Sequence, residues 1–157
     1  MVEGTIRIEG AKIIFRNFSG APTKFNAAGG KRDFSVVLED EFAQKIIADG
    51  WSPKPLRPRD ETDPPRWHLP VSVAFGGYPP KIVMIKSGHQ VQLDEQTIGT
   101  LDWADIKNVD LAIRPYNYEF AGRKGVRAYL KTMYVTIEED EFEAKYADDD
   151  EDDELPF

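Results

Sequence analysis

The sequence predicts a mainly β domain with one packed helix and an acidic, disordered C-terminal tail. Short segments of alternating apolar residues, separated by glycine and proline turns, fill most of residues 5–137. One segment, at about residues 40–49, carries its apolar residues at helical spacing instead. After residue 137 acidic residues dominate, and such a stretch cannot bury enough apolar surface to fold. We therefore predict a domain over residues 1–137 and a tail over residues 138–157.

The first predicted strand, residues 5–18, is long and changes its buried face. Its apolar positions shift parity near Gly10, from Ile6 and Ile8 to Ile13 and Phe15. When the register of a strand shifts by one residue, the side chains that faced the core turn to the other face, and a bulge at glycine commonly causes such a shift. We expect one bent strand that serves two faces. Further strands are predicted at residues 33–38, 70–75, 81–86, 89–93, 109–119 and 126–137.

The predicted helix begins with Asp40 as its N-cap and ends near Gly50. A short helical turn is expected over residues 101–106, and the proline-rich stretch 52–65 is expected to form a loop or an edge. A bent first strand, an antiparallel sheet and one helix suit a small oligonucleotide-binding (OB) barrel, with a β-sandwich as the alternative. The aromatic residues expected in its core are Phe15, Phe42, Phe75 and Trp103.

Composition excludes several functional classes. The chain has no cysteine and two histidines, which excludes disulfide frameworks, thiol nucleophiles and three-histidine metal sites. The sequence shows no phosphate-binding glycine loop and no glycine-flanked nucleophilic serine. The carboxylates of Asp60, Glu61 and Asp63 could hold Mg²⁺ but read more simply as a polar turn. We expect no enzyme activity, no cofactor, no membrane segment and a cytoplasmic location, the bacterial host cytoplasm if a phage encodes the chain.

Charge is distributed unevenly along the chain. Residues 138–157 hold 12 acidic residues and one lysine, so the first 137 residues hold 16 acidic and 19 basic residues. A basic body with an acidic appendage is typical of proteins that bind nucleic acid or a partner.

The segment 109–137 is predicted to form a hairpin with an aromatic and basic face. With a four-residue loop, 121–124, the register places Tyr118 opposite Arg127, Tyr116 opposite Tyr129, and Arg114 opposite Lys131. The other face then holds apolar residues that suit a core. Bases stack on tyrosine rings while basic side chains neutralise phosphates, so this face predicts binding of single-stranded nucleic acid. A solvated face of residues with high β-propensity is the alternative.

Smaller basic groups could extend this surface. Arg123 and Lys124 lie at the predicted hairpin tip. Lys31, Arg32 and Phe34 follow a glycine turn and could form a second binding loop. The cations of the proline-rich segment could line a groove or only solvate a loop.

The tail ends in an apolar tip after seven consecutive acidic residues, 148–154. The tip consists of Asp152, Asp153, Glu154, Leu155, Pro156 and Phe157. It resembles the tail of bacterial and phage single-stranded DNA-binding proteins (SSBs), in which an acidic run ends in proline and phenylalanine, and the body looks like the divergent phage SSBs. The resemblance implies single-stranded DNA binding and protection in replication, recombination and repair. It also implies that these six residues recruit replication or recombination proteins, and that the chain could form a homo-oligomer.

Other functions remain open from sequence alone. An acidic adaptor or decoy could occupy SSB-binding pockets through the tail without binding DNA. An RNA-binding barrel is also possible, because stacking tolerates either sugar. We further expect the tail to compete with DNA for the basic surface, because a tether raises its local concentration there.

Overall fold

The computed structural model describes residues 4–24 and 27–138. These residues form a mainly β, OB-like domain with one α-helix, α1, at Asp40–Ala48 and a 3₁₀ helix at Ile98–Asp102. The strands are β1 (Ile6–Ile8), β2 (Ile13–Asn17), β3 (Asp33–Glu39), β4 (Lys54–Pro55), β5 (Arg66–Ser72), β6 (Lys81–Lys86), β7 (His89–Leu93), β8 (Ile106–Phe120) and β9 (Arg123–Ile137). The predicted strands at 81–86 and 89–93 are confirmed, and the predicted helix agrees within one residue at each end.

The predicted bend of the first strand divides it into two strands. β1 pairs with β8 and β2 pairs with β3, so residues 9–12 cross between two edges of the sheet. Along this crossing, the Ala11 N–H donates to the Val109 carbonyl (2.7 Å), and the Lys12 carbonyl accepts from the Val37 N–H (2.8 Å). The strand path β1-β8-β9-β5-β3-β2 therefore begins and ends in the same segment. Hydrogen bonds do not close the sheet into a complete barrel, and the predicted OB-like, mainly β fold with one helix is confirmed.

The hairpin β8–β9 has a shorter loop than predicted. Phe120 pairs with Arg123, which leaves Ala121 and Gly122 as a two-residue turn. Both turn residues have positive φ (53° and 77°), the backbone that twisted hairpins favour. The register is therefore shifted by two residues from the prediction: Tyr116 pairs with Arg127, and Arg114 with Tyr129. A shift of two preserves which side chains share a face.

A bulge in β9 changes which residues of the strand face the core: even-numbered positions before it and odd-numbered positions after it. The pairing slips between Ala112 and Ile113, opposite Lys131. Before this point Ala128 and Leu130 are buried, and after it Met133 and Val135 are buried. The predicted four-residue loop would also pair Leu111 with Tyr134, which is wrong, since Leu111 pairs with Met133.

The helix covers one side of the core through Ala43 and Ile46, both buried. Its N-cap is Glu39, not Asp40, and no side chain caps it. The Asp40 carboxylate instead accepts a hydrogen bond from Trp67 Nε1 (2.8 Å). This bond ties the start of α1 to β5.

Two aromatic residues expected in the core lie at the surface. Trp103 is 88% exposed and Phe15 is 65% exposed. Phe42 and Phe75 are partly buried against the core, as expected.

Candidate nucleic-acid interface

Tyrosine and arginine side chains interleave along the outer face of the β8–β9 hairpin. The Arg114 guanidinium lies 5.5 Å from the ring centre of Tyr129, and that ring meets Tyr116 edge-on at 5.5 Å. Farther along, the Arg127 guanidinium lies 5.3 Å from the Tyr118 ring. We call these five residues the tyrosine ladder. The cation–π contacts hold the arginines beside the rings, so charge and stacking surface occupy the same stretch of strand.

The outer end of the ladder rests on a glycine. A Cβ at Gly125 would lie 2.5 Å from Tyr118 Cζ and from its hydroxyl oxygen, which shows that the ring covers this residue. Tyr118 is 38% exposed and Tyr116 is 51% exposed. Each ring is thus supported on one side and open to solvent on another, as a stacking platform requires.

The ladder is not neutralised by nearby acids. Neither Arg114 nor Arg127 forms an ion pair with a carboxylate among the described residues. Lys131, at the bulge, and Arg123 and Lys124, beside the turn, are exposed on the same hairpin. Lys124 lies opposite Glu119, and this acid offsets part of the charge at the tip. Of these charged residues five are basic and one is acidic, so phosphates that approach the hairpin meet a net positive charge.

The outer face that holds the tyrosine ladder continues across the neighbouring strands, as the strand register shows. Tyr129 pairs with Ser72 of β5, Ser72 with Asp33 of β3, and Asp33 with Asn17 of β2. Directly paired side chains lie on the same face, and the next residues of these strands, Val71 among them, are buried in the core. The ladder and the end of β2 therefore belong to one continuous outer face.

The predicted second binding loop is only partly available. Lys31 is exposed and lies near Asp33. Burial raises the pKa of Asp33, and the Lys31 charge offsets only part of that rise. Arg32 is mostly buried: it contacts Glu95 at 3.4 Å and lies 5.6 Å from the Phe75 ring centre. Phe34 is 1% exposed and stacks on Phe18 in the core. Phe34 therefore cannot stack on a base at the surface, which corrects its assignment to the binding loop.

Sequence reasoning missed an exposed aromatic pair at the other end of the outer face. Phe15 and Trp103 line a groove of about 720 Å³ together with Asn17, Lys31 and Asp33. Phe15 lies in the irregular part of β2 with φ of 53°, which is rare for a bulky residue. Nothing in the sequence signals that backbone, because the apolar pattern alone assigns Phe15 to the core.

The acidic cluster of the proline-rich loop is a self-contained turn. The Asp60 carboxylate accepts from the Thr62 N–H (2.8 Å) and hydroxyl (2.6 Å), which lowers its pKa. Asp63 accepts from the Arg59 N–H (2.6 Å). Within residues 4–24 and 27–138, no group of three or more potential metal ligands comes together. In the same residues no helix is long and apolar enough to cross a membrane.

The tail tip, residues 152–157, lies outside the described residues, as does the rest of 139–157. Its role in recruiting partners stays a prediction.

An OB-like sheet with an aromatic and basic outer face is the arrangement of single-strand nucleic-acid-binding domains. A family model described as "Putative phage ssDNA-binding domain" matches residues 2–155, and the chain belongs to this family. A comparison with curated proteins gives no match.

Solved structures show the same fold. The single-stranded DNA-binding protein of bacteriophage Enc34 is 12% identical, with a TM-score of 0.53 over 87% of this chain and 83% of that chain. The structure of that protein in complex with single-stranded DNA is 13% identical, with a TM-score of 0.55 over 87% of this chain and 88% of that chain. At these identities the likeness establishes the shared fold.

Proposed function

We propose that this protein binds single-stranded DNA without sequence preference and protects it during phage DNA metabolism in the bacterial host cytoplasm. The tyrosine ladder is the observation that carries this proposal. Its rings offer stacking surface to any base, and its arginines neutralise phosphates beside those bases. The family assignment supports the same ligand.

The ladder favours single strands over duplexes. Bases in a duplex are stacked on each other, and their faces are not available to a protein ring. A single strand can place its bases against Tyr116 and Tyr118, which project from a narrow hairpin. The binding energy then comes from stacking and from counterion release, neither of which reads the sequence of bases.

The protein acts as a binding module and not as an enzyme in this proposal. The ladder supplies no paired acid and base, and its described neighbours form no metal site. The acidic tail would recruit replication, recombination or repair proteins through residues 152–157. An adaptor that only uses its tail would have no need of the ladder, and this disfavours the decoy alternative.

Alanine substitution of Tyr116 tests the proposal. Loss of one stacking platform should weaken oligo-dT binding by about 5- to 140-fold, because stacking contributes ~1–3 kcal/mol per base. Tyr78→Ala is the matched control, since Tyr78 is 82% exposed in the loop between β5 and β6 and lies outside the ladder. Equal, small effects of both substitutions would contradict the assignment of the ladder as the binding face.

A further inference from the structure

We propose that Trp103 and Phe15 form a second base-stacking platform, so that one DNA strand runs from the tyrosine ladder across the outer face to the groove at the end of β2. This inference rests on the proposed function and adds a second, separate site to it. No sequence feature or family assignment places DNA at these residues.

Trp103 directly follows the 3₁₀ helix, and hydrogen bonds connect this segment to residues 16–19, at the end of β2 and just after it. The Asp102 carboxylate accepts from the backbone N–H groups of Phe18 (2.6 Å) and Ser19 (3.0 Å). Arg16 Nη1 donates to one carbonyl before Trp103, that of Leu101, and to one after it, that of Ala104, both at 2.8 Å. The indole is therefore 88% exposed on a backbone that hydrogen bonds hold in place. Because the backbone around this exposed ring is already held in place, little backbone entropy is lost when a base stacks on the ring.

Phe15, in β2, lines the same groove as Trp103. Its positive φ lies in a region that bulky residues avoid, and its ring is 65% exposed although it costs free energy to expose an apolar side chain. Its ring lies nearly perpendicular to that of His68, with the ring centres 5.5 Å apart, and most of its surface stays open to solvent. A strained backbone that presents an apolar ring to solvent indicates a binding role.

The register connects this groove to the ladder. Asn17 lines the groove, and the row Asn17–Asp33–Ser72–Tyr129 crosses three strand spacings to the ladder. Three spacings of ~4.8 Å give about 14 Å. At a stacked rise of ~3.4 Å per nucleotide, about four nucleotides bridge this distance. A strand of modest length can therefore occupy both platforms at once.

The charges of the groove distinguish it from the ladder. The groove is lined by two basic residues, Arg16 and Lys31, and two acidic residues, Asp33 and Asp102, so that their formal charges cancel. We therefore expect the groove to contribute stacking and little phosphate neutralisation. Loss of Trp103 should lower the affinity without changing the salt dependence.

The test measures binding of two lengths of oligo-dT: ~3 nucleotides, which is too short to bridge both platforms at ~3.4 Å per step, and ~12 nucleotides, which is within the range that single OB folds cover. Trp103→Ala should weaken binding of the longer oligonucleotide about 5- to 140-fold, with an unchanged slope of log K against log salt. Binding of the shorter one should fall by at most about twofold, because it can still use the ladder alone. Phe15→Ala, on a different element, should give the same length-dependent loss.

Fluorescence provides an independent readout. Trp51 is buried and Trp67 is partly buried against the core, whereas Trp103 is 88% exposed, so most of the quenching by the longer oligonucleotide should come from Trp103. Trp103→Phe keeps an aromatic face and should keep affinity close to wild type while the quenching is lost. Tyr78→Ala is the control for loss of an exposed aromatic ring.

The outcomes separate this inference from the proposed function. If the wild-type protein binds the longer oligonucleotide and Trp103→Ala binds it equally well, the second platform is refuted and the ladder stands. A loss of equal size for both lengths, or for Tyr78→Ala, also refutes it. If the wild-type protein binds neither oligonucleotide, the proposed function fails first.

Discussion

Gly125→Ala separates the stability of the hairpin from its capacity to bind DNA. The added Cβ would lie 2.5 Å from Tyr118 Cζ and 2.8 Å from Cε1, closer than real Cβ contacts allow. The tyrosine ring must therefore leave its place over Gly125. The backbone can accept alanine, because Gly125 is not among the residues with positive φ.

The effects on stability should nearly cancel. Replacing glycine by alanine stabilises by ~0.4–1 kcal/mol when the backbone is compatible, because the unfolded chain loses freedom. Displacing the ring removes its contact with Arg127, a cation–π interaction that is worth ~0.5–1 kcal/mol at an exposed site. We expect the free energy of unfolding to stay within about 1 kcal/mol of wild type.

The effect on DNA binding should be larger. A displaced Tyr118 no longer presents a supported face, so up to one stacking interaction is lost, about 5- to 140-fold in affinity. The assay is a fluorescence titration with oligo-dT, combined with thermal unfolding of the same variants. Tyr118→Phe is the matched control, since it keeps the ring and should bind close to wild type.

A double-mutant cycle tests the physical reasoning. If Gly125→Ala acts through the ring, it should have almost no further effect on DNA affinity in a Tyr118→Ala background. The reasoning is refuted if Gly125→Ala weakens binding by the same factor with and without the Tyr118 ring. It is also refuted if Gly125→Ala alone binds like wild type.

Three further predictions concern charge and pH. Arg127→Ala should reduce the magnitude of the salt slope of oligo-dT binding by ~0.7, the value for one phosphate contact on a single strand, and an unchanged slope would exclude that contact. Deletion of residues 148–157 should raise DNA affinity, most at low salt where screening is weak, and equal affinities across a salt series would exclude competition by the tail. Burial, and then the nearby Lys54 charge, lower the pKa of His68, so the unfolded state binds more protons below the ordinary pKa of 6.5. The free energy of unfolding should therefore fall as pH decreases through the window below 6.5. In the His68→Gln variant, unfolding curves measured across that window should lack the part of the pH dependence that comes from His68.

The outer face of the hairpin could be predicted from sequence although its register could not. Loops of two and four residues both keep Tyr116, Tyr118 and Arg127 on one side, because the side-chain period of a strand is two. The choice between those loops depends on backbone angles at Ala121 and Gly122, which residue types alone do not determine. The bulge at Lys131 does have a sequence signal, because the buried apolar positions of β9 change from even (Ala128, Leu130) to odd (Met133, Val135) across it.

The second aromatic pair could not be predicted because tertiary contacts expose it. The position of Trp103 depends on hydrogen bonds between residues far apart in sequence. Asp102 bonds to Phe18 and Arg16 bonds to Leu101, and each pair is separated by more than 80 residues. The prediction for Phe34 was wrong in the opposite way, because this residue was expected at the surface and is buried. It follows two basic residues, but pairing with Val71 turns its ring into the core.

The central claim is tested most directly by titrating the protein with a ~30-nucleotide oligo-dT at two salt concentrations, with duplex DNA as competitor. Tight and salt-sensitive binding that duplex DNA does not displace is the predicted result, and Tyr116→Ala should weaken it. Absence of binding at low salt, even after removal of residues 148–157, would contradict the account and favour an adaptor that acts through its tail.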